Sequence, residues 1–428
     1  MSIRIAATAA GMLACAAGAP ALGQTRFVIA DRTNDSLWVL ADHNHNGVIE
    51  EPGEVHLLFS AANAAGTPGP LNPTALEVRR DGLIVYGDQD STRKMLVGLR
   101  DLNLDGDAQD PGESWVIADP TNASAISFAF PTGIAFDSLG RPVVVNAGNA
   151  LGNDGVYRLD IAGDGDAQEP GEVSTLVGTG NFQGANGPYS PQELVPVAAS
   201  FLLRNSSAGL NGVFRLADLS ADGDMDDAGE LAGVWTSGSS GVTPGAGFAL
   251  EPDRARPGAV YTQQVVSTPS AGTDQIVRLV DWGGEGQYDQ PGDAAVVYQT
   301  SEAGFTAIDL YSLPDGRLLV TDNSGNRVIV LADLNSDTDF QDTGERTDYL
   351  ANTAGIIAAA RQIAAYPCPG DFDRNWLVGT ADITGFLSAW FADLANGTTE
   401  ADFDRNGVVG TADITSFLNA WFASLNLC

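Results

Sequence analysis

"DLNLDGDAQDPGE", residues Asp101–Glu113, carries acids at its first, fifth and seventh positions, Asn at the third and Gly at the sixth. A calcium loop begins this way, because the ion takes six to eight oxygens and alternate side chains of a tight turn can converge on it. A helix-flanked calcium loop closes with an acid at position twelve. Here position twelve is Gly112, and the acid, Glu113, is thirteenth.

The stretch recurs. Copies begin at Asp42, Asp101, Asp160, Asp218, Asp281 and Asp333. Each has an acid twelve residues later (Glu54, Glu113, Glu172, Glu230, Asp293, Glu345) and a Gly just before that acid. A fixed loop at a near-fixed period marks an array of one supersecondary unit. Around the third copy, "GIAFD", "RPVVVNA", "GVYRLD" and "EVSTLV" read as four short strands, with the acidic loop joining the third to the fourth. The quartets "TALEV", "LIVYGD", "KMLVGLRD", "SWVIA" and "FTAIDL", "RLLVTD", "RVIVLAD", "TDYLA" repeat the pattern. The fold class is therefore mainly β, with six four-stranded units predicting a six-bladed β-propeller over residues 24–366. Only three strands, "RFVIAD", "SLWVLAD" and "VHLLFS", precede the end of the first unit. The segment "GIIAAARQIAAY" (Gly355–Tyr366) is expected to supply the fourth and close the ring without an open edge. The texts "FPTGIAFDSLGRPVVVNAGN" and "LPDGRLLVTDNSGNRVIVLAD" resemble NHL-type propellers. That wider group contains binding scaffolds and metal-dependent hydrolases such as lactonases, so the resemblance speaks to architecture more than to activity.

The acidic loops have two readings. Asp, Asn and Gly build long hairpin turns without any metal. Crowded carboxylates also repel one another, and a cation relieves that. Calcium is expected in the better copies, on Asp101, Asn103, Asp105 and Asp107, on Asp42, Asn44 and Asn46, and on Asp218, Asp222 and Asp224. The third copy has Ala162 at its third position, the fifth has Gly283 and Gln287, and the sixth has Thr338 where Gly is wanted. Those three are expected to be bare turns.

The C-terminal segment repeats on another period. "DFDRNWLVGTADITGFLSAWFADL" (Asp371–Leu394) and "DFDRNGVVGTADITSFLNAWFASL" (Asp402–Leu425) each carry an acid at position twelve, Asp382 or Asp413. A helix is predicted after each. Ile383, Phe386, Leu387, Trp390, Phe391 and Leu394 fall on one face, which the two helices are expected to bury against each other. Two such loop–helix units bracketed by Cys368 and Cys428 resemble dockerin modules, over residues 367–428, of the cysteine-bracketed kind. The resemblance implies calcium held by Asp371, Asp373, Asn375, the Leu377 carbonyl and Asp382, and by Asp402, Asp404, Asn406, the Val408 carbonyl and Asp413. It implies partner contacts at Thr380-Ala381 and Thr411-Ala412, a cohesin-like or other surface docking partner, and a link to polysaccharide breakdown. Trp376 stands where the pattern has Gly, and the usual hydroxyl pair at the contact positions is incomplete.

Composition narrows the rest. Fifty-five acids against 21 bases give a net charge of -34, which argues against nucleic acid as a partner. Residues 1–23 read as a secretory signal peptide: Arg4, an apolar run too short to span a bilayer, and small residues at Ala21 and Gly23. An exported chain retaining only Cys368 and Cys428 is expected to pair them. No later segment is apolar enough to cross a membrane. The three histidines, His43, His45 and His56, all lie in or beside the first loop, which argues against a histidine-based catalytic centre. Two functions remain. One is a secreted, non-catalytic calcium-binding scaffold, with a glycan as candidate ligand, anchored by its C-terminal module. The other is a hydrolase or lyase acting on a carbohydrate or lactone. Convergent carboxylates or amides in the channel, with Glu77, Asn146, Asp309 and Asn323 as candidates, would favour the second.

Overall fold

The computed structural model describes residues 26–427 apart from 90–91, 148–153, 179–189, 208–209, 268–271, 352–356, 374–377, 399–400 and 404–407. The signal-peptide reading, Asn375, Leu377, Asp404, Asn406 and Cys428 lie outside the described residues.

Six four-stranded antiparallel sheets form the ring. Blade 1 joins β1 (Arg26–Asp31), β2 (Ser36–Ala41) and β3 (Val55–Ser60) to β24 (Ala360–Tyr366). Blade 2 is β4–β7, from Pro73–Val78 through Ile84–Asp88 and Leu96–Leu99 to Ser114–Ala118. Blade 3 is β8–β11: Pro131–Phe136, Pro142–Asn146, Gly155–Leu159 and Val173–Val177. Blade 4 is β12–β15: Pro191–Val197, Ser200–Asn205, Gly212–Leu216 and Leu231–Trp235. Blade 5 is β16–β19: Leu250–Pro252, Ala259–Ser267, Gly272–Val280 and Ala294–Thr300. Blade 6 is β20–β23: Ala307–Ser312, Leu318–Asp322, Arg327–Leu331 and Arg346–Leu350. The C-terminal segment does supply the missing strand: β24 runs antiparallel to β1, with Arg26 opposite Tyr366 and Ile29 opposite Ile363.

The first strands pack side by side in the order β24–β4–β8–β12–β16–β20 and back to β24, and so surround the axis. Both faces of each sheet meet a neighbouring blade, which explains strands that read as unbroken apolar runs, such as "PVVVN". One polar fastener recurs. In each second strand, at or near its end in five blades and midway along β17 in blade 5, a side chain accepts an N–H from the segment entering the innermost strand. The six are Asp31 with Ala359, Asp88 with Leu71, Asn146 with Phe130, Asn205 with Ser190, Gln263 with Phe248, and Asp322 with Thr306.

Beyond β24 come two helices, α1 (Thr380–Asn396) and α2 (Thr411–Leu427). The rings of Phe386 and Phe417 stack at 4.3 Å, with Phe372 and Phe403 edge-on around them. The Trp390 indole N–H donates to the Gly410 carbonyl at 2.8 Å, and Trp421 donates to Gly379 at 2.9 Å. Each helix thus pins the start of the other. The expected burial of the whole apolar stripe does not occur: Phe391 and Leu394 are 64% and 53% exposed, and Phe422 and Leu425 are 60% and 48% exposed. Two helices alone bury only the sides that face each other, so the outer third of each stripe stays in solvent.

Candidate functional site

The propeller loops share one internal architecture. In the second loop, Asp101 accepts the N–H of Leu104 and of Gly106, at 2.6 and 3.0 Å. Glu113 reaches back from the far end and accepts from Leu102, Asn103 and Asp110, at 2.8, 3.2 and 3.1 Å. Glu54, Glu230, Asp293 and Glu345 do the same in their own loops. In the fourth loop the Ser220 N–H leads the backbone donors that hold the Glu230 carboxyl below the usual carboxylate range. The thirteenth acid is therefore a clasp for the loop, a role that its position at the head of a strand does not reveal.

Position eight is a second fastener that the sequence reading passed over. Ile49, Ala108, Ala167, Met225, Tyr288 and Phe340 are all buried. Each donates its N–H to a carbonyl on the outer strand of the preceding blade: Tyr349, Leu58, Ile117, Leu176, Val234 and Val297 respectively, at 2.6–2.9 Å. Its signal was a hydrophobic residue recurring in an otherwise acidic run. The Ile49–Tyr349 bond ties the first blade to the last.

The third loop differs from the alignment on its first Asp. In five loops the residue before that Asp gives its N–H to the carbonyl of the thirteenth acid, as Ala217 does to Glu230. In the third it is Asp160 itself that bonds Glu172. The loop is one residue shorter, so Asp160 stands one place outside it.

Carboxylate grouping is uneven among the loops. Among the described residues, trios with oxygens within 4.8 Å of one another fall in the third loop (Asp164, Asp166, Glu169), the fifth (Glu285, Asp289, Asp293) and the sixth (Asp333, Asp337, Glu345). The first, second and fourth loops, where Asp42, Asn44, Asn46, Asp105, Asp107, Asp218, Asp222 and Asp224 stand, hold no such trio among the described residues. In the second loop the Asn103 amide donates to both Asp105 and Asp110, at 3.0 and 2.7 Å, where a cation would stand between them. Turning that amide over presents its oxygen instead. Burial, with Glu113 and Asp105 adding repulsion, lifts the Asp101 carboxyl to about 6. A bound cation would reverse that shift.

In the C-terminal pair, Asp371, Asp373 and Asp382 converge within 4.8 Å. Asp382 is fully buried and accepts the N–H groups of Asp373 and Gly379, at 3.1 and 2.7 Å. Asp413 is equally buried and accepts from Gly410 at 2.7 Å. Asp402 is half-buried and Val408 is exposed. Thr380, Ala381, Thr411 and Ala412 are all exposed in the first helical turns. Cys368 is buried and disulfide-bonded.

The channel holds a further group of acids. Two residues past the opening of the innermost strand, after a shift in register, stand Glu193 in β12, Asp309 in β20 and Gln362 in β24. Two residues further on, the equivalent places in β4 and β16 carry Glu77 and Glu251. Glu77, Glu193 and Asp309 each accept the N–H of the next residue, which lies on the free inner edge of its strand. Asp309 also accepts from Ile363 of the adjoining blade at 2.8 Å. Gly133, at the matching place in β8, makes room: a Cβ there would come within 2.6 Å of the Glu193 carboxylate. Burial lifts Glu77 and Asp309 to about 7, and lifts Glu193 well above its usual range with Asp309 and Glu77 adding repulsion. Glu251 is instead paired with Arg254, whose guanidinium lies 4.0 Å from the Tyr311 ring centre. Of the sequence candidates, Glu77 and Asp309 belong to this group. Asn146 is the fastener described above, and Asn323 donates its N–H to Thr306 in the segment leading into β20. Glu193, Glu251 and Gln362 were missed. Aligning the first strands of all blades on their opening residue is the signal that finds them.

No protein-family model and no curated protein matches this sequence. Solved structures that it resembles include a chain of a nidogen/laminin complex (14% identity, TM-score 0.48, covering 80% of this chain and 98% of that one). Others are the gluconolactonase XC5397 from Xanthomonas campestris (15%, 0.43, 78% and 86%) and a streptogramin B lyase (12%, 0.44, 77% and 84%). At such values they carry no argument about activity, and the ring rests on its own strand pairing.

Proposed function

We propose that this is an exported, calcium-binding β-propeller whose ring serves as a binding scaffold and whose C-terminal loop–helix pair is a docking module. The observation that carries the reading is the convergence of Asp371, Asp373 and Asp382 at the start of α1. Three carboxylates this close repel one another, and a hard divalent cation is what oxygen ligands at this spacing take. The exposed Thr380-Ala381 and Thr411-Ala412 steps, beside exposed Phe391 and Phe422, support a surface in duplicate for a cohesin-like or other surface partner. No helix among the described residues is long and apolar enough to cross a membrane. Calcium titration of the chelated protein, followed by calorimetry, tests the reading. Saturable binding that magnesium does not match is expected, and its absence would overturn the calcium assignment.

The channel favours a second reading. Glu77 and Asp309, lifted to about 7, are poised to take and give protons near neutrality, as a hydrolase or lyase requires. Turnover of a lactone or glycan that disappears in Asp309→Asn would establish it.

A further inference from the structure

Between blades 5 and 6 lies a cleft of about 310 Å³, lined by Asp253, Arg256, Tyr261, Arg278, Arg317 and Asp333 among others. Three of the 21 basic residues of a chain with net charge -34 meet there. Arg317 is paired with Asp315 at its rim. Arg278 is not paired: it is 9% exposed, it makes no hydrogen bond or ion pair among the described residues, and its buried Nε has no acceptor.

The repeat shows how unusual that is. Register places Arg158 in β10, Arg215 in β14 and Arg278 in β18 at the same point of successive third strands. Arg158 donates to the carbonyl of Gly223, at position six of the next blade's loop. Arg215 likewise lies against Gly286, position six of the loop after that. The residue facing Arg278 in this scheme is Thr338, and both line the cleft instead of bonding. A buried Nε–H without an acceptor is costly, because it has given up water and gained nothing in exchange.

A second unmet group faces the same space. Asp253 is 3% exposed; one of its oxygens caps the turn through the N–H groups of Ala255 and Arg256, and the other, Oδ2, has only the Tyr261 phenol beside it, outside good hydrogen-bond geometry. Tyr261 borders it. The cleft therefore asks for an anion on one side and for hydroxyl donors on the other. A bare inorganic anion would meet Asp253 with like charge, and a neutral sugar would leave Arg278 without its counter-ion. We propose that this cleft binds an acidic saccharide, its carboxylate or sulfate taken by Arg278 and its ring hydroxyls by Asp253 and Tyr261. The volume is near the lower end of small-ligand pockets, roughly 300 Å³, which suits a single sugar residue. The inference rests on reading the ring as a binding scaffold and is independent of calcium and of docking.

Titration calorimetry on the full calcium-loaded protein tests it, with galacturonate, sulfated galactose and unmodified galactose trimers as probes. Saturable binding of one or both acidic trimers is expected, at least tenfold tighter than the neutral one. The stronger of the two acidic arms distinguishes carboxylate from sulfate. Arg278→Met should weaken that binding by about tenfold or more, as loss of a charge-assisted pair does. Arg278→Lys keeps the charge without the fork and should fall between them, which serves if the Met variant fails to fold. Arg158→Met, at the equivalent place in blade 3, should leave affinity unchanged. No saturable binding of either acidic trimer, equal binding of the neutral one, or equal loss in Arg158→Met would each overturn the proposal. Calcium binding that persists in any of those cases would leave the docking reading standing.

Discussion

The propeller loops and the C-terminal loops begin alike and are held differently. Both open with acids or amides at alternate positions. In the propeller the closing acid comes at thirteen, clasps the loop's own N–H groups, and is followed by a strand. Position eight then ties each loop to the preceding blade. In the C-terminal pair the closing acid comes at twelve, caps the start of a helix, and is followed by no sheet. Beyond the acids, that module has one stacked aromatic core, two reciprocal Trp bonds and the Cys368 disulfide. On the calcium reading proposed above, the same ligand pattern would depend on an ion to different degrees: a propeller loop is held by its ring, whereas the helix pair has only its small core and the Cys368 disulfide. Small modules without a large core are the ones that rely on metals.

Chelation is the strongest way to break this comparison. Removing calcium from the intact protein should melt the C-terminal pair well before the ring. A ligand at about a thousand times its dissociation constant contributes about 4 kcal/mol to the state that binds it. The helical signal in circular dichroism reports the pair, and the β signal reports the ring. Asp382→Ala with Asp413→Ala should reproduce the early transition in the presence of calcium. If chelator lowers both transitions by the same amount, the two kinds of loop do not differ in the way argued.

Next in size is the clasp. Glu113 is buried and holds three N–H groups, so Glu113→Ala should cost about 3 kcal/mol. Glu172 is half-buried, holds one backbone N–H, at Glu169, and closes the shortened loop. Its Ala variant should cost about 1 kcal/mol. Urea melts of the two variants make the comparison. Equal losses would mean that the thirteenth acid is not what organises the loop.

These contrasts show what the sequence carries and what it conceals. The period of the acidic loops and the alternation around them contain the blade count, and the unmatched "ARQIAAY" contains the closure. Both are local patterns repeated six times. Glu193 and Gln362 were not legible, because their meaning depends on a register shift that only strand pairing reveals. Asp160 read as the first residue of its loop because a one-residue deletion leaves an Asp in nearly the same place. The exposure of Phe391 and Leu394 was hidden for another reason: periodicity gives a face, and only the partner's width decides how much of it is covered.

The channel acids give the pH test. Glu77 holds its proton up to about 7 in the folded ring, whereas the unfolded chain releases it near 4.5. Between those values the folded state binds more protons, so this contribution is fully present in acid and declines as pH rises toward 7. Glu77→Gln removes it. Above pH 7 that variant should be more stable than the parent by on the order of 1–2 kcal/mol, a figure discounted for the residue's partial access to channel water. Below pH 4 the gap should vanish. Asp309→Asn should behave similarly, with the loss of one of the two N–H bonds it accepts, from Leu310 or Ile363, subtracting from the gain. Thermal melts from pH 4 to 8 check the slope, and a gap independent of pH would rule out a raised carboxyl.

The smallest effect separates loop geometry from ligand chemistry within the ring. Position six carries Gly47, Gly106, Gly165, Gly223 and Gly286 at φ between 77° and 103°, and Thr338 at φ 81°. A β-branched residue there is strained by roughly 1–2 kcal/mol. Glycine relieves that strain but enlarges the unfolded ensemble, which returns roughly 0.4–1 kcal/mol. Thr338→Gly should therefore stabilise the ring by about 0.5 kcal/mol, read as a small upward shift of its melting temperature. Because Asp333 accepts the residue's N–H at 3.0 Å and not its side chain, the loop's acids stay where they are. Calcium affinity should then be unchanged while stability rises. A drop in affinity would instead show that the threonine side chain takes part in holding the sixth loop's carboxylates together.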